Sequence, residues 1–149
     1  MIEYKERGIL IFSKISSENN LYLKILTQKD EIITGLSFGG STKKKKNIFQ
    51  IGYFLNIVIK NKNKNFPNSI SAELSKPYYH NIFNDKYKLH ALLTLVSLLN
   101  ISIIEGQKVS GLFNLSENII QILANEKKWI INYFIFLLNL LKIIGYDID

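Results

Sequence analysis

The sequence contains no cysteine. That absence excludes disulfides, zinc–thiolate sites and a cysteine nucleophile, and it fits a cytoplasmic setting. Histidine is scarce. His80 and His90 are the only two; neither has a carboxylate at metal-ligand spacing, so both are expected to be ordinary surface or helix residues. A phosphate-cradling motif is also missing. Gly39-Gly40-Ser41-Thr42-Lys43 lacks the second glycine and the Gly-Lys-Ser/Thr order that a nucleotide-binding loop needs. The carboxylates are scattered, with no pair placed for acid–base work. These absences argue against an enzyme, and neither a cofactor nor a metal is expected. Trp129 to Ile144 is strongly apolar, but Asn132, Asn139 and Lys142 interrupt it. It is shorter than the roughly 20 residues needed to span a bilayer, so it reads as a buried core helix. A membrane anchor is an alternative resting on this stretch alone. Early acids at Glu3 and Glu6 speak against a secretory signal.

What the chain does have is lysine, unevenly placed. The formal net charge is +7. Through residue 65 there are twelve bases against five acids, so the whole excess lies there and the remainder is neutral. Four of those bases are adjacent: Lys43, Lys44, Lys45 and Lys46, directly after Gly39-Gly40-Ser41-Thr42. A charge run is often only a solvated loop. Here it joins a one-ended charge excess, which suits an anionic partner such as nucleic acid.

The 149 residues suffice for one ordinary domain or two small ones. The first half has strand chemistry in Gly8 to Ser16, Leu21 to Thr27, Glu31 to Phe38, Ile48 to Lys60 and Ser69 to Ser75. Leu21, Leu23 and Ile25 fall on one strand face, Tyr22 and Lys24 on the other. Five short strands, short turns and one long basic loop predict a five-stranded OB-fold barrel over residues 1–76. The composition shifts near Pro77, and residues 77–149 are expected to form a small helical domain, making the fold class α+β. Leu89, Leu92, Leu93, Val96 and Leu99 recur at helical spacing, with Asn84 or Asp85 as cap. Asn114 and Glu117 resemble a capping box for a short helix through Ala124. A last helix from about Lys127 to Ile144 ends at Gly145.

The basic Gly-Gly loop, strand-rich start and helical finish together resemble RecO, the bacterial recombination mediator of DNA repair. Tyr4, Glu6, Gly8 and Ile9 resemble the family's opening. Leu26-Thr27 followed by a strand ending in Gly39-Gly40 resembles its "LT…GG" stretch, and Gln50-Ile51-Gly52 the start of its next strand. Leu140 to Asp149, with Gly145-Tyr146 inside it, resembles its "LL…LGY/FxxDL" helix end. Ile51 stands where the family usually has proline. Lysine replaces arginine in the loop, which keeps charge but loses bidentate phosphate geometry. The family continues past this motif into further helices and often a cysteine zinc module. The sequence is therefore expected to be a fragment or a shortened member, with an incomplete helical part.

The resemblance implies a noncatalytic, cytoplasmic, nucleoid-associated protein that binds single- and double-stranded DNA and anneals strands. It also implies work with RecR to load RecA on strands coated by single-strand-binding protein (SSB). Lys43, Lys44, Lys45 and Lys46 are the first candidates for DNA contacts, with Lys24, Arg7 and Lys60 as additions along the barrel. Tyr22, on the same strand face as Lys24, is a candidate stacking platform. Phe38, Phe49 and Phe54 are expected in the core. Some of Trp129, Tyr133 and Phe136 are expected to be exposed if later helices are missing. The alternative function is an OB-fold binding module for RNA or another acidic partner.

Overall fold

Alternation of apolar and polar side chains builds the strands. In the computed structural model, which describes residues 2–145, these are β1 (Ile2–Ile15), β2 (Leu21–Thr27), β3 (Ile32–Ser37), β4 (Phe54–Asn61) and β5 (Ser69–Leu74). They close into a barrel in the order β1-β2-β3-β5-β4. The β3–β5 pairing is parallel, and the other four are antiparallel. This is the OB-type barrel expected from the sequence, in which closure removes exposed sheet edges. β1 makes closure possible by its length. Residues Ile2 to Ile9 pair with β4, and Gly8 to Ile15 pair with β2. The interior is filled by Leu10, Leu23, Ile25, Leu55, Ile57, Ile59 and Ile70.

Two strand starts differ from the sequence expectation by more than one residue. β1 begins at Ile2 rather than Gly8. Its charged first half looks unlike a strand, yet β4 supplies a backbone partner for each residue. β4 begins at Phe54 rather than Ile48. Residues 48–53 turn instead, with Gly52 at φ +89° and its N–H donated to the Leu10 carbonyl at 2.8 Å.

The helices are α1 (Tyr79–Phe83), α2 (Lys86–Ser102), α3 (Leu112–Asn125) and α4 (Ile130–Ile143). α2 has Leu92, Leu95, Val96 and Leu99 buried, one stripe at helical spacing. Asp85 caps it by accepting from the Tyr87 and Lys88 N–H groups. The helices do not form a core of their own. Ile9, Ile11, Leu26, Ile32 and Phe54 of the barrel belong to the same buried cluster as α2, α3 and α4.

The expected capping box at Asn114 is not there. The N-cap position of α3 is Gly111, three residues earlier, whose φ is +83°. Its cap comes from the barrel. Asp30, in the β2–β3 turn, accepts from the N–H groups of Gly111 at 2.8 Å and Phe113 at 2.9 Å. Glu117 is engaged elsewhere, as described below. On α4, Tyr133 and Phe136 are buried, and the Tyr133 hydroxyl donates to the Ala91 carbonyl at 2.9 Å. Trp129 is partly buried. The exposed apolar side chains of α4 are instead Ile130, Ile131, Phe134, Ile135, Leu138, Leu141 and Ile143. Phe49 and Phe54 are core, but Phe38 is 56% exposed. It lies one residue past the end of β3, where the chain leaves the barrel. Gly145 ends α4 at φ +105°; the Tyr146 to Asp149 part of the helix-end motif lies outside the described residues. Among the described residues no helix is long and apolar enough to cross a membrane.

Candidate nucleic-acid interface

The surface of β1 and β2 carries the first part of the candidate site. Along β2 the buried residues Leu21, Leu23 and Ile25 force Tyr22 and Lys24 outward. Opposite them on β1, Phe12 pairs in register with Lys24, and Lys14 with Tyr22. Phe12 and Lys14 face out because of a register shift between Leu10 and Phe12. A bulge of one residue inverts the face of everything after it. Leu10 therefore points into the barrel while Phe12, two residues on, does not. The Lys24 ammonium lies 5.5 Å from the centre of the Phe12 ring. Phe12 and Tyr22 meet edge to face at 6.4 Å, and both line a shallow open depression with Lys14 and Lys24.

The second part is the basic loop. It leaves β3 at Ser37, at the same end of the barrel as the β1–β2 turn, and is tied to that turn. The Gly39 N–H donates to the Asn20 side-chain oxygen at 3.0 Å, and the Ser41 N–H to the Asn19 carbonyl at 2.9 Å. Gly39 has φ +71°, a conformation glycine adopts without strain. The Thr42 hydroxyl donates to the Gly39 carbonyl at 2.7 Å, and the following residues wind into a turn. Lys43, Lys44, Lys45 and Lys46 are all exposed. The Lys45 ammonium folds back on the Phe38 carbonyl at 3.1 Å. The other three have no protein partner among the hydrogen bonds and ion pairs of the described residues.

Arg7 and Lys60 sit where β1 pairs with β4, not where it pairs with β2. The Lys60 ammonium lies 3.9 Å from Glu3 across the β1–β4 ladder, with both side chains about half exposed. Arg7 is engaged by several protein partners. Its guanidinium makes a two-pronged ion pair with Glu117 of α3, and its Nε donates to the Ser75 hydroxyl at 3.1 Å. It lies over the rings of Phe54 and Phe113, 5.3 and 5.6 Å from their centres. Hydrogen bonding to Glu117 raises the Arg7 pKa further above its ordinary value. Burial pushes the Glu117 carboxyl up, but the hydrogen bond and charge of Arg7 outweigh it and hold the carboxyl below its usual range. Arg7 thus joins barrel to helices, with Nε and both terminal nitrogens each already donating to a protein acceptor.

Sequence reasoning missed Phe12 and Lys14, because plain alternation from Leu10 sends both inward. It also passed over the β4–β5 loop, where Lys62 and Lys64 are exposed and Phe66 is 61% exposed. That loop is anchored through Asn68, which accepts from Asn61 at 2.7 Å and donates to the Thr34 carbonyl at 3.0 Å. The signal for it was the Lys/Asn run itself.

Residues 84–149, which include α2, α3 and α4, match the family described as Recombination protein O C terminal. The whole chain, barrel included, aligns with DNA repair protein RecO of Rickettsia canadensis at 27% identity over 145 residues, 97% of this chain and 59% of that one. Over nearly its whole length the chain is similar to RecO proteins. RecO of Dinoroseobacter shibae is 22% identical over 149 residues, covering 100% of this chain and 62% of its own length. RecO of Hyphomonas neptunium is 24% identical over 153 residues, covering 99% and 62%. The chain spans about three-fifths of the length of the curated relatives it matches.

Proposed function

We propose that this chain is a member of the RecO family and acts in DNA repair and recombination by holding DNA through its phosphates, without regard to sequence. The observation that carries this is the lysine loop pinned beside the outward face of Tyr22 and Lys24 on an OB-type barrel. OB-folds bind oligonucleotides on the face of strands 2 and 3, where Tyr22 and Lys24 stand, and lysines act as point charges toward phosphate. Lys43, Lys44, Lys46 and Lys24 are the contacts, with Lys45 able to join once released from Phe38. Arg7, held by Glu117, is not among them, and Lys60, near Glu3 on the β1–β4 ladder, is not needed.

In this proposal residues 1–76 carry the DNA and residues 77–149 carry protein partners. Single and double strands both bind. Complementary strands anneal because they are concentrated on one surface with their bases free. Cooperation with RecR in loading RecA onto SSB-coated strands, in the cytoplasm and at the nucleoid, is proposed from the family. The mechanism needs no bond to be made or broken by the protein.

Salt dependence is the test. For single strands log K falls with log salt by about 0.7 per phosphate neutralised. Replacing Lys43 to Lys46 together by alanine is expected to flatten that slope by roughly one to three units. An unchanged slope takes the loop out of the interface. Competition by RNA of the same sequence separates DNA binding from the RNA alternative, since a dedicated RNA reader uses the 2′-hydroxyl.

A further inference from the structure

Phe12, Lys14, Tyr22 and Lys24 form a two-by-two checkerboard. Each aromatic ring sits opposite a lysine across the β1–β2 ladder, and the two rings lie on one diagonal. The rings are 72° apart in plane and 6.4 Å apart in centre, so they form a corner. The corner opens into a shallow depression that continues toward the β1–β2 turn at Ile15. It exists only because the bulge at Ile11 turns Phe12 outward. An outward Phe–Tyr pair flanked by two lysines on a barrel face contributes nothing to either buried cluster.

We propose that this corner holds one nucleobase of a single strand, stacked on one ring and bounded at its edge by the other. Lys14 and Lys24 take the phosphates on either side. This deepens the DNA-binding function proposed above and rests on it. Alternation of ring and cation matches the alternation of base and phosphate along one strand. A duplex cannot use the corner, because its bases are already stacked on each other. The lysine loop gives affinity for any phosphate backbone, and the corner adds a preference for single strands. Stacking is tolerant of sequence because every base has a π-face.

The test compares an unstructured single-stranded oligonucleotide with a duplex of equal length, by fluorescence anisotropy on the full chain. Tyr22→Ala and Phe12→Leu are each expected to lower the ratio of single-strand to duplex affinity by about tenfold to a hundredfold, the size of one base–aromatic stack. The salt slope stays with the lysines, and Lys14→Ala flattens it for single strands by about 0.7. Tyr22→Phe restores the ring and is expected to rescue the ratio, which separates stacking from a folding defect. A strand of abasic sites should lose the same factor against the unaltered protein and lose nothing further against Tyr22→Ala. The inference is overturned if Tyr22→Ala and Phe12→Leu leave the ratio unchanged, or if abasic and normal strands bind alike. If the unaltered protein binds neither strand form, the DNA-binding function fails and the corner with it. If it binds both through the loop lysines and the ratio ignores the rings, only the corner fails.

Discussion

The Asp30 carboxylate caps the helix that begins after Gly111, 81 positions further along the chain. One oxygen accepts from Gly111 and the other from Phe113. The first N–H groups of a helix have no partner within it, and a carboxylate there also meets the positive end of the helix dipole. The cap is thus a tertiary contact between a barrel turn and α3. Asp30 itself has φ +65°, a backbone that aspartate tolerates better than most residues.

Asp30→Gly tests the cap alone, because glycine keeps the turn without strain. It is expected to lower the unfolding free energy by about 1–2 kcal/mol. Asp30→Ala should cost more by roughly 1 kcal/mol, the added strain of a Cβ at positive φ. Urea denaturation of the two variants is the measurement. Equal stability of Asp30→Gly and the unaltered chain would show that the cap contributes nothing.

The Arg7–Glu117 pair predicts a dependence of stability on acidity. The Glu117 pKa is lowered in the folded protein, against burial, by Arg7. A lowered carboxyl contributes stability that is complete above its ordinary pKa and lost as pH falls through the lowered one. Glu117→Gln should therefore be less stable than the unaltered chain near neutrality by about 1–3 kcal/mol. The gap should close as pH drops below the usual glutamate range. A gap that stays constant from pH 7 to the acid transition would rule out this linkage.

Gly52 and Gly111 share almost the same φ, +89° and +83°, but not the same surroundings. A Cβ on Gly52 would come within 2.9 Å of a buried Leu92 methyl, whereas nothing lies within 4 Å of one on Gly111. Both alanine variants carry the backbone strain. Gly52→Ala is expected to cost a further 1–3 kcal/mol or so for overpacking. Thermal unfolding of the two, side by side, isolates that difference. Equal losses would mean that Leu92 moves aside freely.

Annealing of complementary strands should proceed with excess EDTA and without ATP, since the proposed mechanism only concentrates strands on a charged surface. Raising the salt should slow it in parallel with single-strand binding. A fluorescence-quenching assay follows both. Loss of annealing on chelation would contradict the mechanism.

Charge and alternation in the sequence determined the outline. Leu21, Leu23 and Ile25 must turn inward together, so Tyr22 and Lys24 must turn outward, and a period of two needs no tertiary information. Lys43 to Lys46 must be exposed, because four adjacent charges cannot be buried without partners. The stripe of Leu92, Val96 and Leu99 likewise made α2 legible, and narrowed its cap to Asn84 or Asp85, of which the structure uses Asp85. What the sequence could not show depended on distant residues. Arg7 looked like a surface cation until α3 brought Glu117 to it. The cap of α3 lay in a barrel turn rather than at Asn114, because a hydrogen-bond acceptor is chosen by proximity in space. Phe12 and Lys14 changed faces through one unpaired residue, which local pattern does not mark. A bulge is decided by which register of β1 against β2 buries Leu10 and Leu23 while β4 holds the other half of the same strand. Only closure of the barrel imposes both conditions at once.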